Sequence, residues 1–243
     1  MKNFKKYISI ISFFILLSFL TNCKQDLKTE MIFTTEKTDS LKIGLSGSWG
    51  RAIINWGDDS KDKTSELWSL PIYFEKNYSD KKIHTIKING SELNTITGLS
   101  CFNNQITNID VSNNPKLKSL EVLRNNLTDL NISKNTELTE LNCTWNKLKK
   151  LDVNNNKNLQ NLSCENNQLK NLNLNNNEKL VSVFLRSNQL NSEQLDSLFE
   201  SLHNNKIWGK TIYIGGNPGA KKCNKSIAIK KGWTIDTEPV EFK

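Results

Sequence analysis

Residues 138–158 read LTELNCTWNKLKKLDVNNNKN, and residues 159–179 read LQNLSCENNQLKNLNLNNNEK. Laid over each other, the two 21-residue units share Leu at positions 1, 4, 11 and 14, Cys at 6, and Asn at 9 and 19. The register extends in both directions. Ile96, Leu117, Leu138, Leu159 and Leu180 fill position 1, and Asn104, Asn125, Asn146, Asn167 and Asn188 fill position 9. Position 19 holds Asn114, Asn135, Asn156 and Asn177. Alternating apolar residues at 4 and 6, and again at 14 and 16, predict two short strands per coil with their side chains inward. A unit this small cannot bury its apolar seam alone, so the coils must stack as a solenoid. Positions 9 and 19 fall where the chain turns while still buried. Backbone groups there need partners, and an amide side chain both donates and accepts.

Composition agrees with such a stack. Only 36% of the chain is apolar, while 26 Asn lie between Asn94 and Asn191. The two His, His84 and His203, give little material for metal or acid–base chemistry. G-x-S-x-G, H-E-x-x-H and P-loop motifs do not occur. A non-enzyme without cofactor or metal is the expectation. Cys101, Cys143 and Cys164 share the inward position 6 with Val122 and Leu185 and are expected to be small buried hydrophobes.

The pattern L-x-x-L-x-C-x-x-N-x-L-x-x-L-D-V-x-x-N resembles the irregular 21-residue class of bacterial leucine-rich repeats. The resemblance implies a mainly β solenoid, here spanning 91–243. The end of the chain departs from the period. Leu195, Leu198, Phe199 and Leu202 recur at helical spacing and predict a helix over Glu193–His203 with Asn191 or Ser192 as N-cap. Ile212, Ile214 and Asn217 then repeat positions 4, 6 and 9, and Trp233 to Ile235 follows 21 residues later. A second helix is expected between Lys221 and Lys231, closed by Gly232. Residues 192–243 thus read as the capping end of the stack.

The first 22 residues combine Lys2, Lys5 and Lys6 with a 14-residue apolar run from Tyr7 to Leu20, as in a secretory signal. Leu20-Thr21-Asn22-Cys23 resembles a lipobox, which implies lipidation of Cys23, a tether over 23–30 and a bacterial cell envelope, at the outer membrane. A charged stretch beside the lipid site resembles export tags of Bacteroidetes-type surface lipoproteins. Removing the leader takes away three Lys and no acid, so the net charge falls from +8 to +5. Most of that excess lies at the C-terminal end, as a solvated surface and not a nucleic-acid footprint. Residues 31–90 carry short strands at Met31–Thr35, Leu41–Leu45, Arg51–Trp56 and Ile83–Ile88. Ile53-Ile54-Asn55-Trp56-Gly57-Asp58 with Phe74, Tyr78 and His84 resembles a PKD-type immunoglobulin-like sandwich. Asp58, Asp59 and Asp62 read either as an Asp-capped turn or as a calcium site.

If positions 4 and 6 point inward, positions 5 and 7 point outward. Phe102, Leu123, Phe184, Arg186 and Tyr213, with Trp145 at position 8, become a candidate partner-binding ribbon. Protein is the favoured partner of this single-chain module. Two alternatives stay open: a glycan stacked on Trp145, Phe184 and Tyr213 in an accessory lipoprotein of glycan uptake, and a purely structural spacer.

Overall fold

The computed structural model describes residues 29–47, 50–80, 82–90 and 96–239. The expected signal peptide, Cys23 and the tether up to Lys28 lie outside the described residues. Thr29 and Glu30, expected in the tether, belong instead to the first strand, which begins where Thr29 pairs with Asn89.

Fourteen strands and two helices follow in chain order among the described residues. They are β1 (Thr29–Thr35), β2 (Ser40–Gly47), β3 (Arg51–Asn55), β4 (Lys63–Glu66), β5 (Ile72–Asn77) and β6 (His84–Gly90), then β7 (Ile96–Ser100) and β8 (Ile106–Asp110). One strand per coil comes next: β9 (Ser119–Glu121), β10 (Glu140–Asn142), β11 (Asn161–Ser163) and β12 (Ser182–Phe184). The end comprises α1 (Ser192–Ser201), β13 (Thr211–Tyr213), α2 (Ser226–Lys230) and β14 (Thr234–Asp236).

The strands form two sheets. One has the order β4-β3-β6-β1-β8, the other β14-β13-β12-β11-β10-β9-β7-β2-β5. Each sheet contains strands from before residue 91 and strands from the repeats. β8 of the first coil pairs antiparallel with β1, Phe33 facing Ile109. β7 pairs antiparallel with β2 on one side and parallel with β9 on the other. β1 and β2, consecutive in the chain but in different sheets, therefore close one side each of the stack's open end. One apolar core, from Met31 and Phe33 through every coil to Trp233, continues without a break.

The coils are held as the asparagines predict. Asn146 Nδ2 donates to Val122 O (2.9 Å) and Cys143 O (3.0 Å), while its Oδ1 accepts from Leu127 N (3.0 Å). Asn125, Asn167, Asn188 and Asn217 repeat this arrangement one coil at a time. At the first rung β2 replaces the missing coil: Asn104 Oδ1 accepts from Lys42 N (3.1 Å), and its Nδ2 donates to Lys42 O (2.7 Å). In the second column Asn135, Asn156 and Asn177 each donate to two carbonyls of the preceding coil.

The expectation of two strands per coil holds only for the first column. After β8, residues at positions 14 to 16 form no strand among the described residues. The amides at position 19 tie this side to the preceding coil in place of a ladder. Position 8, between strand and ladder asparagine, is left-handed in every regular coil: Asn103, Arg124, Trp145, Asn166 and Ser187 have φ between 53° and 57°. The equivalent in the next turn is Gly216, with φ 76°.

At the far end, Asn191 caps α1 in a reciprocal box with Gln194. The second helix is shorter than Lys221–Lys231. Turns precede it, and α2 spans Ser226–Lys230 before Gly232 (φ 79°). In the β region, Asp58 serves a turn. It accepts from Ser60 N (3.0 Å) and pairs with Lys76 (2.7 Å), while Asp62 accepts from Asn55 Nδ2 (2.8 Å). Burial raises the Asp58 pKa, but the Lys76 and Ser60 hydrogen bonds outweigh it and hold the carboxyl at about 2.

Candidate functional site: the outer face of the nine-stranded sheet

Positions 3, 5 and 7 of each coil point away from the core on the nine-stranded sheet. The pairing registers align position 5 across eight strands as Gly44, Ser100, Glu121, Asn142, Ser163, Phe184, Tyr213 and Asp236. Tyr73 stands opposite Gly44 on the edge strand β5. Position 3 adds Gly98, Ser119, Glu140, Asn161, Ser182 and Thr211. The middle of the face is thus small and polar, and aromatic rings stand at both ends. Two adjoining depressions occupy it. One of about 120 Å³ runs among Gly44, Pro71, Tyr73, Gly98 and Ser100, and one of about 250 Å³ among Ser119, Glu121, Glu140, Asn142, Asn161 and Ser163.

Glycine has a specific use here. A Cβ on Gly44 would lie 2.7 Å from Tyr73 Cε1. Its absence lets the Tyr73 ring lie down over β2, where Lys42 Nζ stands 5.1 Å from the ring centroid. Two carboxylates project from the floor. Glu121 accepts from Ser100 Oγ (2.9 Å), and Glu140 is exposed one coil on.

The six expected partner-binding residues form two groups. Phe102, Leu123 and Trp145 occupy adjacent coils beside the polar floor. Phe102 and Trp145 are 40% and 41% exposed, and Leu123 is half-buried. Phe184, Arg186 and Tyr213 make the second group, two coils further. The Phe184 and Tyr213 rings stack on each other at 4.5 Å, nearly parallel, and the Arg186 guanidinium lies 4.5 Å from the Tyr213 centroid. Arg186 is committed inside the molecule: it pairs with Glu165 (3.3 Å) and Asp236 (3.1 Å) and donates to Glu238 O (3.0 Å). It clasps the chain end against the stack. Sequence reasoning missed Tyr73, which lies outside the repeat, and the position-3 residues. The parity that turned position 5 outward also turns position 3 outward, so that signal was present.

The thiols at position 6 lie inside. Burial pushes Cys143 up to about 12 and raises Cys101 and Cys164 well above the ordinary thiol range. They pack as apolar groups. Among the described residues no group of three His, Cys, Asp or Glu is placed to hold a metal ion. Among them, too, no helix is long and apolar enough to cross a membrane.

No family model matches the sequence, and no curated protein matches it either. Solved structures do. Those matches lie with the stack of 21-residue coils joined by its parallel ladder. An internalin, InlF, from Listeria monocytogenes is 27% identical over 58% of this chain and 40% of its own, with a TM-score of 0.47. The functional domain of InlJ from the same organism, described as including a cysteine ladder, is 20% identical over 64% of this chain and 43% of its own, with a TM-score of 0.41. Internalin C2, also from Listeria monocytogenes, is 22% identical over 60% of this chain and 85% of its own, with a TM-score of 0.29. The chain spans less than half the length of the first two.

Proposed function

We propose that this chain is a non-enzymatic binding module of the bacterial cell envelope, lipid-anchored through Cys23, which captures a protein partner on the outer face of the nine-stranded sheet. One observation carries the reading. Phe102, Leu123 and Trp145 gather apolar surface on adjacent coils beside a polar floor with two carboxylates. Protein interfaces are built in this way, with aromatic anchors surrounded by polar groups that fix orientation. The PKD-like region, in this reading, is the solenoid's N-terminal cap as well as its connection to the anchor.

The test is capture from surface-labelled cells with a photo-crosslinking residue at position 142, on the floor. A specific adduct should appear, and the Phe102→Ser/Trp145→Ser variant should lose it while keeping its thermal midpoint. An adduct that forms equally well from position 171, on the other side of the coil, would contradict the assignment. For the anchor, Cys23→Ala should move the protein from the membrane fraction to the soluble one.

A further inference from the structure

A third depression lies away from the sheet face, among the turns at positions 17 to 21 where the last regular coils meet the cap. It encloses about 510 Å³ and is lined by Lys157, Asn175, Asn176, Glu178, Lys179 and Asn205. That size falls within the range of small-ligand sites. We propose that it binds an anionic saccharide, a pyranose unit bearing a carboxylate or a sulfate.

The lining argues for an anion first. Lys157 Nζ has no partner among the described residues, and Lys179 Nζ is held only by the neutral Asn158 Oδ1 at 2.7 Å. Two ammonium groups face one carboxylate, Glu178, and the exposed Lys206 belongs to the loop that forms the wall. The lining also argues for a sugar. It has no aliphatic wall to seat a peptide's apolar side chain. It offers amides that donate and accept at once: Asn175 has an uncommitted side chain, and Asn176 spends only its Nδ2, on Asn154 O (3.2 Å). Amides and a carboxylate beside ammonium groups suit neighbouring hydroxyls together with a negative substituent.

The wall is built, not loose. Asn205 Nδ2 donates to Glu178 O (2.9 Å), and its backbone N–H donates to His203 Nδ1 (3.2 Å). Its carbonyl accepts from the buried Lys210 Nζ (2.8 Å), which also donates to Lys231 O (2.7 Å). The ladder spacing carries coils three and four into the same depression, so a chain of sugar units can run along the stack.

The test is calorimetric titration of the mature chain with four probes: a uronate hexasaccharide, a sulfated hexasaccharide, a neutral glucan hexasaccharide and polyglutamate. At least one anionic saccharide should bind, and the two anionic arms distinguish carboxylate from sulfate. Lys157→Ala/Lys179→Ala should weaken that binding by about tenfold or more. Lys118→Ala/Lys149→Ala, with the same charge loss elsewhere on the surface, should leave it unchanged. The proposal is overturned if neither anionic saccharide binds, if neutral glucan or polyglutamate binds as tightly, or if both double variants lose affinity equally. Because the site lies off the sheet face, these results are independent of the crosslinking outcome at position 142.

Discussion

An asparagine at position 9 ties two coils together. Asn146 bonds the backbone of its own coil through Cys143 O and of the preceding coil through Val122 O and Leu127 N. A leucine would fill the space but leave the buried Leu127 N–H unpaired, at about 1–3 kcal/mol. It would also remove one of the two amide donors on each of Val122 O and Cys143 O, about 1 kcal/mol apiece, those carbonyls keeping Asn125 Nδ2 and Asn167 Nδ2. Asn146→Ala is therefore expected to lower stability by about 3 kcal/mol or more in urea unfolding. Asn171→Ala, at an exposed site, should change it by less than about 0.5 kcal/mol. The thiols give a second residue-scale prediction. Burial holds Cys101, Cys143 and Cys164 as neutral, shielded thiols, and the thiolate is the reactive form. Alkylation at pH 8 should spare all three in the native protein and reach them only after unfolding, as read by mass spectrometry. Both asparagine columns and the inward cysteines were legible in the sequence because a 21-residue spacing exposes them. The fate of Arg186 was not: its partners Asp236 and Glu238 lie about fifty residues away, and no periodic signal links them.

Among the elements, the segment after α1 is the one poised to respond to pH. His203 Nε2 donates to Leu180 O (2.8 Å), so Nδ1 is the unprotonated nitrogen that accepts from Asn205 N–H. Burial, with the Lys210 and Lys231 charges adding to it, lowers the His203 pKa. The unfolded chain, with an ordinary His near pH 6.5, thus takes up the proton first. The stability from this group is complete above about pH 6.5 and falls as pH drops toward the lower folded value. Between pH 7.5 and pH 5 the parent protein should lose more stability than His203→Asn, in paired urea titrations. The same loop carries Asn205, so acid should also loosen the wall of the lysine-lined depression. The α1 helix and its cap were readable from Asn191 and the apolar spacing. The second column's lack of strands was not, because alternation at positions 14 and 16 fixes which side chains point inward but not which group satisfies the backbone.

Across the whole molecule, the N-terminal strands and the repeats are one structure. The sequence divides into a Gly-punctuated β region and a repeat, and that division suggested two domains meeting at residue 90. The pairing that joins them, Ile32 with Asp110 and Gly44 with Ser100, is antiparallel and long-range. It leaves no mark on the period, so it could not be read. Its physical reason is plain. The first coil of a solenoid exposes unpaired strand edges, and edges invite aggregation unless covered. β1 covers one and β2 the other, and Lys42 supplies the backbone groups that the first ladder asparagine needs. Thr35 Oγ1 and Lys37 Nζ add bonds to Asn104 O and Asn103 O. The most direct test compares urea unfolding of a chain starting at Cys23 with that of one starting at Ile96. The longer chain should unfold in a cooperative transition, and the shorter should lose that transition and aggregate. A chain from Ile96 that stays monomeric and keeps its unfolding midpoint would contradict the account.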